Sequence, residues 1–422
     1  MERRLLIWWA FMLVFIVKLG FAQTDTAQIV ISNRINAEEQ LTKPYVILIS
    51  VDGFRYDYME KYGAEHLVQF AEKGVKADAL IPSFPSITFP NHYTLVTGLY
   101  PAHHGLLGNT IYDPAKKSLY KMNNPKTVRD ASWYGGIPIW TLAEQQHLLS
   151  ASFYWPGSEA PIGGLLPSYY YPYNEKIPIN KRINTVVEWL SLPEEKRPHL
   201  ITFYFPEVDH AGHLFGPEAP ETAKAVQFVD SAIYALNQAV LQTGLAVNFI
   251  LVSDHGMKAI DREHPIDLSP MLDTSKVTIA PNGTLLNVHV KEKAAIRPLY
   301  KKLKKEAQHY RVFLKKKVPS KYHYRQKDDV YNRVGDIVLL AKAPFYFSSG
   351  KKKPNPGAHG YEPNETPEMR ATFIAWGPNF KKGHRIPAFE NVHLYPLLAR
   401  ILGLSYTHQI DGKPKVLENV VN

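Results

Sequence analysis

An α/β fold, with a mainly parallel central sheet flanked by helices and a small α/β insertion, is what this sequence predicts. Three observations predict it. Residues 45–51, 200–205, 247–253 and 371–376 are short apolar runs without polar alternation, the pattern of strands buried on both faces. Helix-length stretches separate them. Residues 219–245 are a long amphipathic candidate with Glu218 and Glu221 at its start, where acidic side chains meet the positive end of the helix dipole. The first three runs lead into carboxylates, at Asp52, at Glu207 and Asp209, and at Asp254, and the fourth into Gly377-Pro378. Ligands of such sheets gather beyond the carboxyl ends of the strands, so Asp52, Asp209 and Asp254 are expected to converge.

The elements follow in chain order. Residues 1–22 read as a cleaved export signal: Arg3 and Arg4 start it, residues 5–17 are apolar, and Gly20-Phe21-Ala22 resembles a cleavage site. The apolar run is shorter than a membrane span of about 20 residues. No later segment is long and apolar enough to cross a bilayer. Residues 27–422 read as one catalytic α/β domain. Residues 158–178, rich in Gly, Pro and Tyr, suggest a surface loop beside the site. Residues 272–326 read as a small inserted subdomain, with short strands at 284–290 and 310–314 around a Lys-rich helix. Residues 324–356 suggest a long loop region with one strand at 336–340.

Composition narrows the chemistry. The chain contains no cysteine, which excludes disulfides, thiolate metal sites and Cys nucleophiles. A metal must be held by His, Asp or Glu, which suits a hydrolytic zinc centre. The formal charge is +10, and about +8 without the signal. Lysine clusters at 301–305, 315–317, 351–353 and 381–382 form a solvated basic face that could also attract anions. No nucleic-acid-binding motif accompanies them, so no stable nucleic-acid complex is expected. The protein is expected to be an exported monomer, periplasmic or secreted. Asn282-Gly283-Thr284 and Asn364-Glu365-Thr366 are glycosylation sequons.

Candidate site residues fall into five groups. Thr88 lies between Pro85 and Pro90 at a helix start, where free backbone N–H groups and the dipole favour a nucleophile that meets a phosphate. Asp209 and His213, four residues apart, share one helical face and could hold one ion. Asp254 and His255 adjoin at a strand end, Asp52 follows the first strand, and His359 sits in Gly357-Ala358-His359-Gly360. Three Asp and three His are the ligand number of two zinc ions with positions left open. His92 and His103 are expected to matter far less.

With these residues in place, the chain resembles the nucleotide pyrophosphatase/phosphodiesterase family of the alkaline phosphatase superfamily. The matching blocks are Val51-Asp52-Gly53-Phe54-Arg55 and Thr88-Phe89-Pro90-Asn91-His92. The second block continues through Thr97-Gly98-Leu99-Tyr100-Pro101 and His104-Gly105 to Asn109. Glu207 to His213, Ser253-Asp254-His255-Gly256-Met257 and Gly357 to Tyr361 complete the match. The resemblance implies an alkaline-phosphatase-like fold and two Zn²⁺ ions. Asp209, His213 and His359 would hold one. Asp52, Asp254 and His255 would hold the other, with Thr88 bound to it as nucleophile and a phosphothreonyl intermediate. Asn109 and the Thr88 backbone N–H would meet a non-bridging phosphate oxygen. Phe89 and Tyr204 would sandwich a nucleobase.

A small-molecule phosphodiester, a nucleotide, is the expected substrate. Monoesters carry an extra anionic oxygen that Arg usually meets. None stands in the motifs around Thr88 or Asn109, and Arg55 is expected to pair structurally. Trp155, Tyr169, Tyr170, Tyr171 and Tyr173 are further pocket aromatics, suited to stacking. The same aromatics would suit a quaternary ammonium, so a choline-phosphate (phospholipase C-like) diesterase is the alternative. A surface binding protein on a decayed scaffold is the non-enzymatic one. A sulfatase would place Cys or Ser where Thr88 stands, and a phosphomutase would be intracellular.

Overall fold

The computed structural model describes residues 27–348 and 353–422; the expected export signal, Lys351 and Lys352 lie outside them. The central sheet has nine strands, numbered along the chain: β1 (Ile29–Val30), β2 (Tyr45–Val51), β3 (Val75–Ala77), β4 (Ser150–Phe153), β5 (Tyr169–Tyr171), β6 (Leu200–Phe205), β7 (Val247–Val252), β8 (Phe373–Trp376) and β9 (His384–Ile386). Their order is β1-β5-β4-β6-β2-β7-β8-β3-β9. The block β5-β4-β6-β2-β7 is parallel throughout. β8 runs antiparallel between β7 and β3. Its carboxyl end, Gly377-Pro378, therefore faces away from the ends of β2, β6 and β7.

The apolar runs make these strands because both faces are buried. Val46, Leu48, Leu200, Ile250 and Val252 enter one core with Leu95, Trp140 and Leu398. Their neighbours Ile47, Ile49, Ile201, Phe203 and Leu251 enter a second core with Leu67, Val186, Trp189, Val229 and Ile233. Alternation along a strand thus feeds two helical layers. Full burial of each such side chain contributes about 1.5–3 kcal/mol. The long helix runs Pro220–Leu241, within its expected span.

Two sequence expectations change. Residues 158–178 are not simply a surface loop, because they contain β5, a buried strand of the central sheet. Its tyrosines are core residues. Tyr171 stacks on Phe153 at 4.6 Å, and Tyr169 donates its hydroxyl to the Lys196 carbonyl. The insertion also extends beyond residue 326. Its antiparallel sheet has the order Val277–Pro281, Leu285–Val290, Ile337–Ala341, Tyr310–Leu314. The strand expected inside a loop is central to this sheet, and its buried Ile337 and Leu339 share a third core with Val288 and Leu303. Residues 272–341 hold sixteen Lys/Arg and six Asp/Glu, a net +10 that equals the formal charge of the whole chain.

Candidate active site

The carboxyl ends of β2, β6 and β7 bring the expected carboxylates together. The turn after β2 places Asp52, whose backbone N–H donates to the Phe205 carbonyl at 2.9 Å. Gly53 has φ +69°, and a Cβ there would lie 2.9 Å from the Asp209 Cα, so glycine is required for β2 to pass this close to the next element. That element is the Glu207–Phe215 helix, which carries Asp209 and His213. Asp254 and His255 follow β7, and the Asp254 Oδ1 accepts from the Gly53 N–H at 3.2 Å. Gly357 repeats the device: a Cβ would lie 2.1 Å from the Gly212 carbonyl oxygen, so the segment bearing His359 lies directly on the helix bearing His213.

All three histidines are oriented alike. Each donates its Nδ1–H to a backbone carbonyl: His213 to Gly357 at 2.8 Å, His255 to Gly256 at 2.9 Å and His359 to Ser86 at 2.9 Å. Their Nε2 lone pairs are left for the site, the arrangement that prepares imidazole for a metal. The ligand atoms of Asp52, Asp254 and His255 lie within 4.8 Å of one another, as do those of Asp209, His255 and His359. The His213 Nε2 stands 3.4 Å from the Asp209 Oδ1 but belongs to neither group. His255 stacks on His359 at 3.6 Å.

The carboxylates are 2%, 8% and 0% exposed at Asp52, Asp209 and Asp254. One oxygen of each, Asp52 Oδ1, Asp209 Oδ1 and Asp254 Oδ2, is buried without a hydrogen-bond partner among the described residues and faces an imidazole Nε2, of His255 at 3.5 Å, His213 at 3.4 Å and His255 at 3.0 Å respectively. Burial, then the charges of Asp254 and Asp209, holds the Asp52 carboxyl well above the usual range. Burial would raise Asp254 too, but His255 and His92 outweigh it and hold it well below. Burial, then His255 and His213, lowers His359. Three buried carboxylate oxygens facing imidazole nitrogens at the floor of a cleft form an O/N donor set, and divalent cations fit it.

Thr88 opens the Thr88–Thr97 helix. Its Oγ1 lies 3.2 Å from the His255 Nε2, and its backbone N–H has no protein partner among the described residues. The Asn109 Oδ1 accepts from the Phe89 N–H at 3.0 Å, which leaves the Asn109 amide N–H₂ as a free donor. Arg55 is tied to Asp57 at 2.6 Å and to Glu218 at 3.1 Å, the structural pairing expected of it.

Two cavities flank Thr88 and Asp209. One of about 430 Å³ holds Phe89, Trp155, Tyr173 and Tyr204. The other, of about 630 Å³, is lined by Asn109, His213, Tyr346 and Lys353. In the first, Tyr204 donates its hydroxyl to the Asp52 Oδ2 at 2.5 Å. Trp155 is core-buried and donates its Nε1–H to the His92 carbonyl. Tyr173 stands at the mouth, 45% exposed.

Sequence reasoning missed several residues. Tyr154 and Glu175 line the aromatic cavity, and neither belongs to a recognisable motif. His92, expected to matter far less than His213, is fully buried. Its Nε2 lies 2.7 Å from the Ser50 Oγ, and its Nδ1 lies 3.0 Å from the Thr88 carbonyl and 3.3 Å from the Asp254 Oδ2. Its spacing of one helical turn from Thr88 was the available signal. His103 pairs instead with Asp411 at 2.7 Å.

A family model for type I phosphodiesterase / nucleotide pyrophosphatase matches residues 46–362. The chain belongs to this family. It is 34% identical over 89% of its length to an uncharacterized pyrophosphatase/phosphodiesterase of Schizosaccharomyces pombe, of which it spans 80%. It is 34% identical over 86% of its length to ectonucleotide pyrophosphatase/phosphodiesterase family member 1 of Mus musculus, and it spans 41% of that longer protein. The murine ectonucleotide pyrophosphatase / phosphodiesterase 5, solved as an inactive threonine-to-alanine variant in complex with AMP, superposes with a TM-score of 0.83 at 30% identity. That match covers 90% of this phosphodiesterase-family chain and 100% of the murine one. The fold is thus the alkaline-phosphatase-like α/β fold.

Proposed function

We propose that this family member is an exported, two-zinc phosphodiesterase/nucleotide pyrophosphatase that works through Thr88. The observation that supports it is the gathering of the Asp52, Asp209 and Asp254 carboxylates with His255 and His359 into two groups that could hold a metal ion, with the Thr88 hydroxyl 3.2 Å from the Nε2 of His255, the residue common to both. Asp52, Asp254 and His255, with Thr88, would hold one ion, and Asp209, His213 and His359 the other. Bound there, the ions would lower the pKa of the hydroxyl and supply positive charge for the phosphoryl group and the leaving oxygen.

The chain's own groups do the rest. The Thr88 oxygen attacks phosphorus in line, and the opposite ester oxygen departs. Water then attacks from the vacated side and frees Thr88. The Thr88 N–H and the Asn109 amide donate to a non-bridging oxygen, where charge builds. A neutral Asn in that place, and the tying-off of Arg55, favour a diester. Phe89 and Tyr204, in the cavity with Trp155 and Tyr173, offer stacking faces to a base. The AMP bound by the murine relative supports a nucleotide. Residues 1–22 support export.

One observation favours a second reading. Glu175 lines the aromatic cavity between Tyr173 and His210, and a carboxylate among aromatics also suits a choline headgroup. Hydrolysis of a nucleotide nitrophenyl diester, nitrophenyl phosphocholine and a nitrophenyl monoester by zinc-loaded protein decides. The nucleotide diester should be fastest; a dominant choline ester selects the second reading, and a dominant monoester overturns both.

A further inference from the structure

We propose that Asn282 and Thr284, at the tip of the inserted unit's first hairpin, are positioning residues that set Asn109 and His359. The inference rests on the two-zinc, Thr88-based reading and adds a role for the insertion. The hairpin joins Val277–Pro281 to Leu285–Val290, and its turn reaches a cavity of about 250 Å³ that it shares with Asn109, His213 and His359.

Asn282 makes a two-bond clamp on the residue after Asn109. Its Oδ1 accepts from the Thr110 N–H and its Nδ2 donates to the Thr110 carbonyl, both at 2.9 Å. Both polar ends of one amide are thereby spent on one residue's backbone, which fixes where the chain carries Asn109. Asn109 in turn receives the Phe89 N–H beside Thr88. Thr284 is fully buried, and its hydroxyl donates to the His359 carbonyl at 3.1 Å. His359 is thus held from two sides, by Thr284 at its carbonyl and by Ser86 at its ring.

The receiving loops are shaped for these contacts. A Cβ at Gly108 would lie 2.5 Å from the Asn282 side chain. At Gly360, with φ +99°, it would lie 2.2 Å from the Thr284 Oγ1. Each site loop therefore carries a glycine where the hairpin presses against it.

The test uses full-length protein with Thr284→Val, Thr284→Ser, Asn282→Ala and Asn282→Asp. Readouts are zinc affinity, by competition with a chromophoric chelator, and the kcat-against-KM split on a nucleotide nitrophenyl diester. Groups that orient ligands from behind cost about 10–100-fold in metal affinity or activity when removed. Thr284→Val should lose about tenfold in zinc affinity, and Thr284→Ser should restore it. Asn282→Ala should lower kcat about tenfold with KM little changed. Asn282→Asp, which keeps the acceptor and loses the donor, should fall between. Wild-type zinc affinity in Thr284→Val, or wild-type kcat in Asn282→Ala, overturns the proposal. Should Thr284→Val not fold, the Asn282 pair decides alone. A dead Thr88→Ala beside wild-type hairpin variants sinks only this inference, whereas an active Thr88→Ala sinks the reading beneath it.

Discussion

The carboxyl edge of the parallel strands and the inserted unit are both rich in charge, and they treat it in opposite ways. At the edge, Asp52, Asp209 and Asp254 are buried, and each keeps one oxygen without a hydrogen-bond partner among the described residues. In the insertion, Lys301, Lys302, Lys304 and Lys305 project from the Ile296–Lys305 helix into water. Burying several carboxyl groups together costs several kcal/mol that the neighbouring imidazoles only partly offset, so such a cluster points to a bound cation. Solvated charge costs almost nothing and marks no site. Burial distinguishes the two regions, since the count of charges is larger in the insertion.

The comparison breaks most visibly at Thr88. Thr88→Ala should lower turnover by about 10³-fold or more while the far-UV spectrum and melting temperature hold. Turnover within tenfold of wild type removes Thr88 from the mechanism. Next in size is metal removal. Chelation should abolish activity and lower the melting temperature, because an ion that binds only the folded site stabilises it and its loss leaves buried carboxyl groups without that offset, and zinc should restore both. A melting temperature indifferent to the chelator would mean that the orphaned oxygens do not face a bound cation.

A third effect is shared by the two regions. His104, in the core beside the Thr88 helix, accepts from the Leu106 N–H at Nδ1 and meets the Thr94 hydroxyl through Nε2. Burial, then His103, pushes its pKa down to about 3. Burial likewise lowers His289, on an inserted strand, to about 4. Both are neutral when folded. The unfolded chain takes up their protons first, so stability present above about pH 6.5 is lost as pH falls toward the folded values. Each histidine should cost about 2 kcal/mol between pH 7.5 and pH 5. Urea midpoints at the two pH values check this, and His289→Gln should narrow the gap. An unchanged gap refutes the assignment.

The smallest effect belongs to the exposed lysines. Changing Lys301, Lys302, Lys304 and Lys305 together to Gln should alter stability by no more than about 0.5 kcal/mol per site and leave kcat unchanged. It should flatten the decline of kcat/KM with salt, because the insertion carries the net positive charge that draws anions. A fall in kcat gives these lysines a part in the chemistry.

What could be read from sequence follows the same division. β2, β6 and β7 were legible because continuous apolar runs end in carboxylates, and helical spacing tied His213 to Asp209. The position of β5 was not, because Tyr169-Tyr170-Tyr171 among Gly and Pro carries no strand period, and its burial comes from β4 beside it. The insertion's extent was hidden because Ile337–Ala341 pairs with strands far earlier in the chain. Asn282 and Thr284 act through bonds to backbone groups of other segments, and no local pattern encodes those; His92 lies one helical turn from Thr88, but its side-chain partners Ser50 and Asp254 come from distant segments.

The most direct test is a crystal structure of zinc-loaded protein with anomalous scattering measured at the zinc edge. Two peaks should appear, each within bonding distance of its own share of the partnerless oxygens of Asp52, Asp209 and Asp254 and the Nε2 atoms of His213, His255 and His359, with Thr88 Oγ1 on one of them. No peak among these residues, or ions held elsewhere, would contradict the account.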